Sequence, residues 1–97
     1  MDDILYLVRE KKYIIFHCIH KGEYRERGAM TDVYCRLHHE RFCYVDRACV
    51  VNLKYVSELE RDIIRLKNDE QFVELAVSRR MSKFVKNELA KYWGKIW

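Results

Sequence analysis

Four cysteines and four histidines are the side chains of this 97-residue chain that could bind a metal ion or supply a nucleophile. Cys35 and His38 lie one helical turn apart, so they could share a zinc ion with further ligands from Cys18 and His20, or from Cys43. However, the sequence has no CxxC or HxxxH pair, and such close pairs are typical of structural zinc sites. Packed or solvated side chains are the better interpretation, and we predict no metal site.

No other group of residues indicates an enzyme or a bound cofactor. Gly22, Gly28 and Gly94 are isolated from one another, so the sequence lacks a glycine-rich loop that could hold phosphates. No pair of carboxylates stands in an apolar segment, and no neighbour is specified that would orient a thiol nucleophile. The sequence therefore predicts a protein that binds rather than catalyses, with no cofactor.

The basic residues are distributed unevenly along the chain. Residues 1–77 hold 13 Lys and Arg against 14 Asp and Glu, whereas residues 78–97 hold six Lys and Arg against Glu88 alone. A basic end on a near-neutral body suits a polyanionic partner. It equally suits a solvated helix with favourable cations in its last turns. Charge alone leaves both interpretations open.

Asp46 and Arg47 raise a more specific question, because they interrupt Phe42–Leu53, the most apolar segment of the chain. Neither residue is Gly or Pro, so composition does not predict a simple turn between them. Either the pair forms a surface corner that carries function, or it lies on an edge strand as two solvated side chains.

The pattern of apolar residues predicts the elements that must position these side chains. Runs rich in β-branched and aromatic residues predict strands, and apolar residues with a helical period predict helices. The predicted strands cover residues 3–8, 12–19, 23–27, 42–46, 49–53, 55–60, 62–67 and 71–77. A short helix is predicted over 31–40 with Thr31 as its cap, and a C-terminal helix is predicted to begin at Ser78.

Short connections join most successive predicted strands, including hairpin turns at 20–23 and at Asn68-Asp69. Such connections predict a mostly β fold of packed antiparallel sheets with a short internal helix and a C-terminal helix. A chain of this length is expected to form one domain, residues 1–97.

The composition places the chain among folded proteins outside the membrane. Apolar residues make up 49 % and charged residues 35 %, which is ordinary for a folded chain. No apolar run approaches the length of about 18 residues that a membrane span needs, and the start lacks the features of a secretory signal. We therefore expect a cytoplasmic protein, or part of one, with reduced thiols.

Four short motifs, taken in order, resemble the LytTR family, whose members are DNA-binding output domains of many bacterial response regulators. The motifs are DILYL at 3–7, Gly28-Ala29-Met30 before the first predicted helix, FCYVDRACVVN at 42–52 and AVSRR at 76–80. Their order and spacing are more specific than any one of them, and they cover nearly the whole chain. The resemblance implies a mostly β fold that binds double-stranded DNA through loops rather than through a recognition helix.

The resemblance also implies DNA contacts on three loops, the second of them at the Asp46-Arg47 corner. Carried onto this sequence, the contact residues are Lys11, Lys12, Tyr13, Arg47, Arg79 and Arg80. An arginine fork can bind guanine O6 and N7 in the major groove, and lysines can neutralise phosphates. Tyr13 could contact a base or a phosphate, or could be a core aromatic residue. The resemblance further implies a homodimer on direct DNA repeats, with RNA polymerase as a further partner.

The chain departs from the family pattern at two points. Asp46 stands where the family usually has His, and a carboxylate beside DNA would repel phosphate. We therefore expect Asp46 to face inward or to pair with a cation such as Arg47. The segment 68–77 is longer than the usual hairpin, which leaves open whether Arg79 or Arg80 occupies the contact position.

A second function fits the same fold, namely a protein-interaction module that pairs with a regulator or with itself and does not bind DNA. It would use exposed strand edges and the aromatic residues Tyr92, Trp93 and Trp97. The near-neutral charge of residues 1–77 favours this alternative.

Overall fold

The computed structural model describes residues 4–19, 22–37, 41–68 and 72–96. Within these ranges the chain forms eight strands and two α-helices in the predicted order, which confirms the mostly β fold. The strands are β1 (Ile4–Glu10), β2 (Tyr13–Cys18), β3 (Gly22–Arg27), β4 (Phe42–Asp46), β5 (Cys49–Asn52), β6 (Val56–Glu60), β7 (Ile63–Lys67) and β8 (Phe72–Ala76). The helices are α1 (Met30–Cys35) and α2 (Ser82–Ile96), and a 3₁₀ turn covers Leu53–Tyr55.

The strands form two antiparallel sheets. A five-stranded sheet has the order β3-β2-β1-β5-β4, and a three-stranded sheet has the order β6-β7-β8. The chain leaves the first sheet at Asn52 and enters the second at Val56, through the 3₁₀ turn. Because β1 is the central strand of the larger sheet, its end near Glu10 lies between the β2 and β5 neighbours. The predicted turns at 20–23 and Asn68-Asp69 fall partly outside the described residues.

The larger sheet is covered on both faces, which explains the unbroken apolar run in β5. Val50 packs in a cluster with α1, whereas Val51 packs in a second cluster with the smaller sheet and α2. Successive strand residues point to opposite faces, so a strand buried on both sides needs apolar residues at every position. Val50, Val51 and Leu53 are at most 1 % exposed, and they anchor the scaffold as the sequence predicts.

Asn52 is the one buried polar side chain among the described residues, and it fastens the end of β5 to the start of β1. Its Nδ2 donates to the Ile4 carbonyl at 2.7 Å, and its Oδ1 accepts from the Lys54 amide at 3.0 Å. Both polar atoms of the Asn52 side chain are therefore hydrogen-bonded in the interior, where an unpaired polar group would be costly. Asn52 closes the motif at 42–52, and its role in this structure is to hold the fold.

The helix starts differ from the predicted ones. Helix α1 begins at Met30 after Ala29, and Thr31 lies inside its first turn without capping it. Helix α2 begins at Ser82 rather than Ser78, because hydrogen bonds hold Val77 and Ser78 to other segments and residues 79–81 form a turn. The Val77 amide donates to the Asp62 carbonyl at 2.7 Å, and the Ser78 amide donates to the Val45 carbonyl at 2.9 Å.

The C-terminal helix buries only a narrow face. Val85 and Leu89 are buried against the sheets, but Phe84 is 44 % exposed. Tyr92 packs at the margin of the core, whereas Trp93 is 36 % exposed, and Trp97 lies outside the described residues. No helix in the described part of the chain is long and apolar enough to cross a membrane.

Candidate nucleic-acid interface

The β1–β2 hairpin presents the first pair of predicted contact residues. Glu10 pairs with Tyr13 in the sheet, so Lys11 and Lys12 form a two-residue loop between the strands. Lys11 has a φ of 58°, a left-handed conformation that non-glycine residues adopt uncommonly and that a tight hairpin loop requires. Both lysines are exposed, and their side chains lie at the end of a rigid two-stranded element.

The Asp46-Arg47 corner is a hairpin turn between β4 and β5. Asp46 is paired with Cys49, and the Asp46 Oδ1 accepts a hydrogen bond from the Ala48 amide at 2.7 Å. This bond between a side chain and an amide two residues later is a turn-forming role typical of Asp. A register shift between Tyr44 and Asp46 marks a β-bulge beside the turn. Arg47 is exposed at the tip.

This arrangement decides between the alternatives that the sequence left open for Asp46 and Arg47. The charged pair is a turn, although neither residue is Gly or Pro. Asp46 also does not pair with Arg47: it is half-buried, and among the described residues it forms no ion pair. Because its carboxylate is engaged by a backbone amide, the guanidinium of Arg47 is left available to a ligand.

Backbone hydrogen bonds join the hairpin and the corner to the segment that precedes α1. The Arg9 amide donates to the Ala48 carbonyl at 2.8 Å, and the Gly28 amide donates to the Lys12 carbonyl at 3.0 Å. An open concavity of about 460 Å³ lies where the three segments meet. Its lining residues are Arg9, Lys11, Lys12, Arg27, Gly28, Ala29, Met30, Thr31, Tyr44 and Arg47.

The concavity is strongly basic. Five of its lining residues are Lys or Arg, and none of the lining residues carries a carboxylate. Within the described ranges, no Asp or Glu forms an ion pair with any of the five cations. Burial raises the pKa of Tyr44, an effect that Arg9 opposes, so the phenol is a neutral hydrogen-bond donor at neutral pH. The surface is therefore suited to an anion.

Arg79 and Arg80 lie on a neighbouring turn rather than in the concavity. The Ser78 amide is bonded to the Val45 carbonyl, so the turn that carries both arginines starts beside the end of β4. Both side chains are exposed. The third predicted loop is thus fastened one residue away from Asp46, which places it next to the Arg47 corner.

Tyr13 faces a different part of the surface. It is 40 % exposed, which excludes the core alternative, and the Arg25 guanidinium lies 5.9 Å from its ring centroid. Tyr13 and Arg25 line a second, smaller concavity of about 310 Å³ together with Glu10, Lys11 and Lys12. The hairpin loop therefore borders both concavities, with Arg47 on one side and Tyr13 on the flank of the hairpin on the other.

Sequence reasoning missed Arg9 and Arg27, which line the same concavity. They are far apart in the chain, and the pairing of β1, β2 and β3 places both residues near the hairpin end of the sheet: Arg9 pairs with Ile14, and Arg27 pairs with Tyr13. Arg9 could have been found from the Lys11-Lys12 loop, because its pair with Ile14 is next to the Glu10–Tyr13 pair that closes the loop. Arg27 requires the length of the β2–β3 connection as well.

The cysteines do not assemble into a site within the described residues. Cys18 and Cys43 lie in different core clusters, and Cys35 is exposed. Burial raises the pKa values of Cys43 and Cys49 to about 12, so both thiols stay protonated at neutral pH. No cluster of three metal-binding side chains occurs in the part of the chain that the structure describes. The remaining candidate ligands, His20, His38 and His39, lie outside the described residues.

Comparison with known proteins gives the class of protein that this fold and surface define. The sequence model of the LytTr DNA-binding domain family matches residues 1–90, and the chain therefore belongs to the LytTR family. The fold is similar to a solved structure described as the LytTr DNA-binding domain of a methyl-accepting/DNA response regulator from Bacillus cereus, with a TM-score of 0.72. That similarity covers 91 % of this chain and 82 % of the other at 15 % sequence identity, so it supports the fold. No curated protein matches the sequence.

Proposed function

We propose that this chain, residues 1–97, is a sequence-specific double-stranded DNA-binding domain that enters the major groove with loops. The observation that carries the proposal is the convergence of the Lys11-Lys12 loop and the Arg47 corner on one basic concavity. Membership of a DNA-binding domain family supports the same conclusion. The mechanism is binding, so the relevant quantities are affinity, sequence preference and salt dependence.

The residue types divide the interface into two tasks. Arg47 and Arg79 are the base-reading candidates, because an arginine fork can bond guanine O6 and N7 together. Lys11, Lys12 and Arg80 are assigned to phosphates, which set the position and give affinity without sequence information. Tyr13, exposed on the flank of the hairpin, is assigned to the sugar-phosphate backbone through its hydroxyl.

Rigidity of the loops supports this assignment. The hairpin loop holds two residues, the Arg47 turn is fastened by Asp46 and Ala48, and the Arg79 turn is fastened to β4. Loops held by hydrogen bonds lose little conformational entropy on binding, so more of the contact energy appears as affinity.

The domain is proposed to act as the output domain of a two-component response regulator in the cytoplasm. Two copies would bind direct repeats, as a homodimer on DNA, and would act there on RNA polymerase. Titration of duplexes that carry one or two copies of the selected site tests this part. Two chains per two-site duplex, with cooperative binding, would support it, and independent binding would contradict the dimer.

Selection of binding sites from random duplexes, followed by fluorescence anisotropy over a salt series, tests the main proposal. The expected result is one preferred sequence and an affinity that falls steeply as salt rises. Absence of binding at low salt, or an affinity indifferent to salt, would contradict DNA binding. Replacing Arg79 and Arg80 separately by Ala decides which of the two reads a base, because only that variant should lose sequence preference.

One observation favours the alternative of a protein-interaction module. Ile63 and Phe72 are 42 % and 60 % exposed on the outer face of the smaller sheet, and exposed aromatic residues are enriched at interfaces. Sedimentation of the chain alone and with duplex DNA separates the two functions. Self-association without DNA that Phe72→Ser abolishes would support the alternative.

A further inference from the structure

Arg9 and Tyr44 are two residues of the basic concavity to which the family resemblance assigns no role. Both side chains lie on the face of the larger sheet against which α1 packs. Tyr44 pairs with Val50, which pairs with Leu7 on its other side, and all three belong to the cluster around α1. Arg9 follows Leu7 by two residues in a stretch of β1 without a register shift, so its side chain points to the same face.

The two side chains flank the turn that carries Arg47. Tyr44 lies on β4 just before that turn, whereas Arg9 lies on β1, where its amide donates to the Ala48 carbonyl at 2.8 Å. Only β5 separates β1 from β4 in the sheet. Burial raises the pKa of Tyr44 and the charge of Arg9 acts in the opposite direction, so the guanidinium lies within electrostatic reach of the phenol. Because both residues line one concavity, a ligand there can contact both.

Both side chains stand on rigid elements with their polar groups available. Arg9 pairs with Ile14 on one side and is bonded to β5 through its amide on the other. The Tyr44 ring packs on Tyr34 of α1 with ring centroids 4.7 Å apart, which fixes its orientation. Within the described ranges, the Arg9 guanidinium forms no ion pair and the Tyr44 hydroxyl forms no hydrogen bond. The two groups can therefore bind a ligand without first releasing a partner.

The chemistry of this pair suits a phosphate. The planar fork of arginine can donate two parallel hydrogen bonds to phosphate oxygens, and the neutral Tyr44 hydroxyl can donate a third. None of the residues that line the concavity carries a carboxylate that would compete. Base edges lie deep in the major groove, whereas phosphates lie on its rims. Arg9 and Tyr44 project from strands behind the Arg47 turn, so they are placed for the rim.

We propose that Arg9 and Tyr44 together bind one backbone phosphate of the DNA that the neighbouring loops contact. The inference rests on the proposed DNA-binding function and deepens it. Because the Arg9 amide is bonded to the Ala48 carbonyl and Tyr44 lies on the strand that leads into the turn, this phosphate is held beside Arg47. Its capture therefore sets the position from which Arg47 meets the bases.

The test compares Arg9→Gln and Tyr44→Phe with two matched controls elsewhere on the molecule. Arg65→Gln removes the same charge from an arginine that is already paired with two glutamates. Tyr55→Phe removes the same hydroxyl in the 3₁₀ turn, beyond the opposite end of β5. Anisotropy is measured over a salt series with the selected duplex and with a mixed-sequence duplex, and urea denaturation checks that each variant is folded.

The two variants should weaken binding in different ways. Arg9→Gln should lower the slope of log affinity against log salt by about 0.9, a loss of roughly fivefold to tenfold at about 0.1 M salt for both duplexes. Tyr44→Phe removes no charge, so it should leave the slope unchanged and weaken binding by about twofold to tenfold. In the double variant, Tyr44→Phe should cost less than it does alone, because the effects of two groups that bind one phosphate are not additive.

Failure of the phosphate site and failure of the DNA-binding function give different results. If the wild-type chain binds duplex DNA but Arg9→Gln and Tyr44→Phe behave like their controls, or if their losses add in full, the shared phosphate site is wrong and the DNA-binding function stands. Losses confined to the selected duplex would mean that the pair reads bases, which also overturns the phosphate assignment.

A further arm titrates inorganic pyrophosphate without DNA. Saturable binding to a wild-type chain that does not bind DNA, weakened in both variants, would assign the site to a free phosphate ligand and overturn the DNA source. A wild-type chain that binds neither pyrophosphate nor DNA would overturn both the site and the function.

Discussion

Arg65 and Arg47 are surface arginines on different sheets with opposite electrostatic surroundings. Arg65 lies on β7 with Glu58 and Glu74 as its cross-strand neighbours on β6 and β8. Its Nε donates to the Glu74 Oε2 at 2.6 Å, and it also forms an ion pair with Glu58. The hydrogen bond to Glu74, followed by that to Glu58, raises the pKa of Arg65. Arg47, by contrast, lies in the basic concavity, whose cations form no ion pair with a residue that the structure describes.

The difference shows that the near-neutral charge of residues 1–77 is the sum over surfaces that differ in their own charge. Acidic residues gather beside Arg65, where Glu58, Glu60 and Asp62 line a single concavity with it. By contrast, no Asp or Glu is among the residues that line the basic concavity. The balance that seemed to favour a protein-interaction module in the sequence therefore does not describe the surface that a polyanion would meet. Placement of charge, rather than its total, decides which partner each surface suits.

The sharpest test of this comparison replaces each of the two arginines by alanine in a separate variant. Arg47→Ala should weaken binding to the selected duplex by about 1–3 kcal/mol, roughly fivefold to 150-fold, because a bidentate base contact is lost. Arg65→Ala removes the same charge and should leave sequence preference unchanged. The measurement is anisotropy with the selected duplex and with a duplex altered at the preferred positions. Equal losses in the two variants would mean that Arg47 reads no base.

The lysines of the hairpin loop test the phosphate part of the comparison. Lys11→Gln combined with Lys12→Gln should lower the salt slope by about 1.8, since each phosphate contact contributes about 0.9. Lys67→Gln is the matched control, because Lys67 is exposed on the smaller sheet. A double variant with the wild-type slope would remove the hairpin loop from the interface.

Asp46 tests whether the turn that carries Arg47 depends on the hydrogen bond between the Asp46 carboxylate and the Ala48 amide. Asp46→Ala removes the acceptor of the Ala48 amide and should lower the free energy of unfolding by about 1 kcal/mol in urea denaturation. Asp46→Asn keeps an acceptor and should unfold like the wild type. Because it removes a negative charge beside Arg47, it should also tighten DNA binding, by up to about fivefold. Unchanged stability in Asp46→Ala would show that the turn does not depend on this bond.

Much of the scaffold could be predicted from the sequence, because burial makes apolar residues recur at the short period of a strand or a helix. The bounds of β4 agree with the prediction, and so does the order of the strands and helices. The start of α2 could not be predicted from Ser78, since hydrogen bonds to both sheets override the local capping preference. Such contacts exist only once the two sheets have packed.

Only part of the candidate site could be predicted from the sequence. Lys11, Lys12 and Arg47 follow from the family resemblance, and the structure places them around one concavity. A surface corner at Asp46-Arg47 was one of the two alternatives, but the bond from the Ala48 amide to the Asp46 side chain was missed, although Asp is a turn-forming residue. Arg9 and Arg27 depend on strand register across β1, β2 and β3, which periodicity does not specify.

The smallest expected effect comes from releasing Arg65. Glu58→Gln combined with Glu74→Gln removes both ion-pair partners of Arg65 and raises the net charge by two. The double lysine variant lowers the net charge by the same amount at the hairpin loop. If placement decides binding, the affinity for duplex DNA should change by less than about twofold at physiological salt, where charges beyond about 8 Å are screened. If total charge decides, the glutamate variant should gain about as much affinity as the lysine variant loses. Anisotropy on both double variants at one salt concentration distinguishes the two results, and equal and opposite changes would contradict the division of the surface into a paired and an unpaired region.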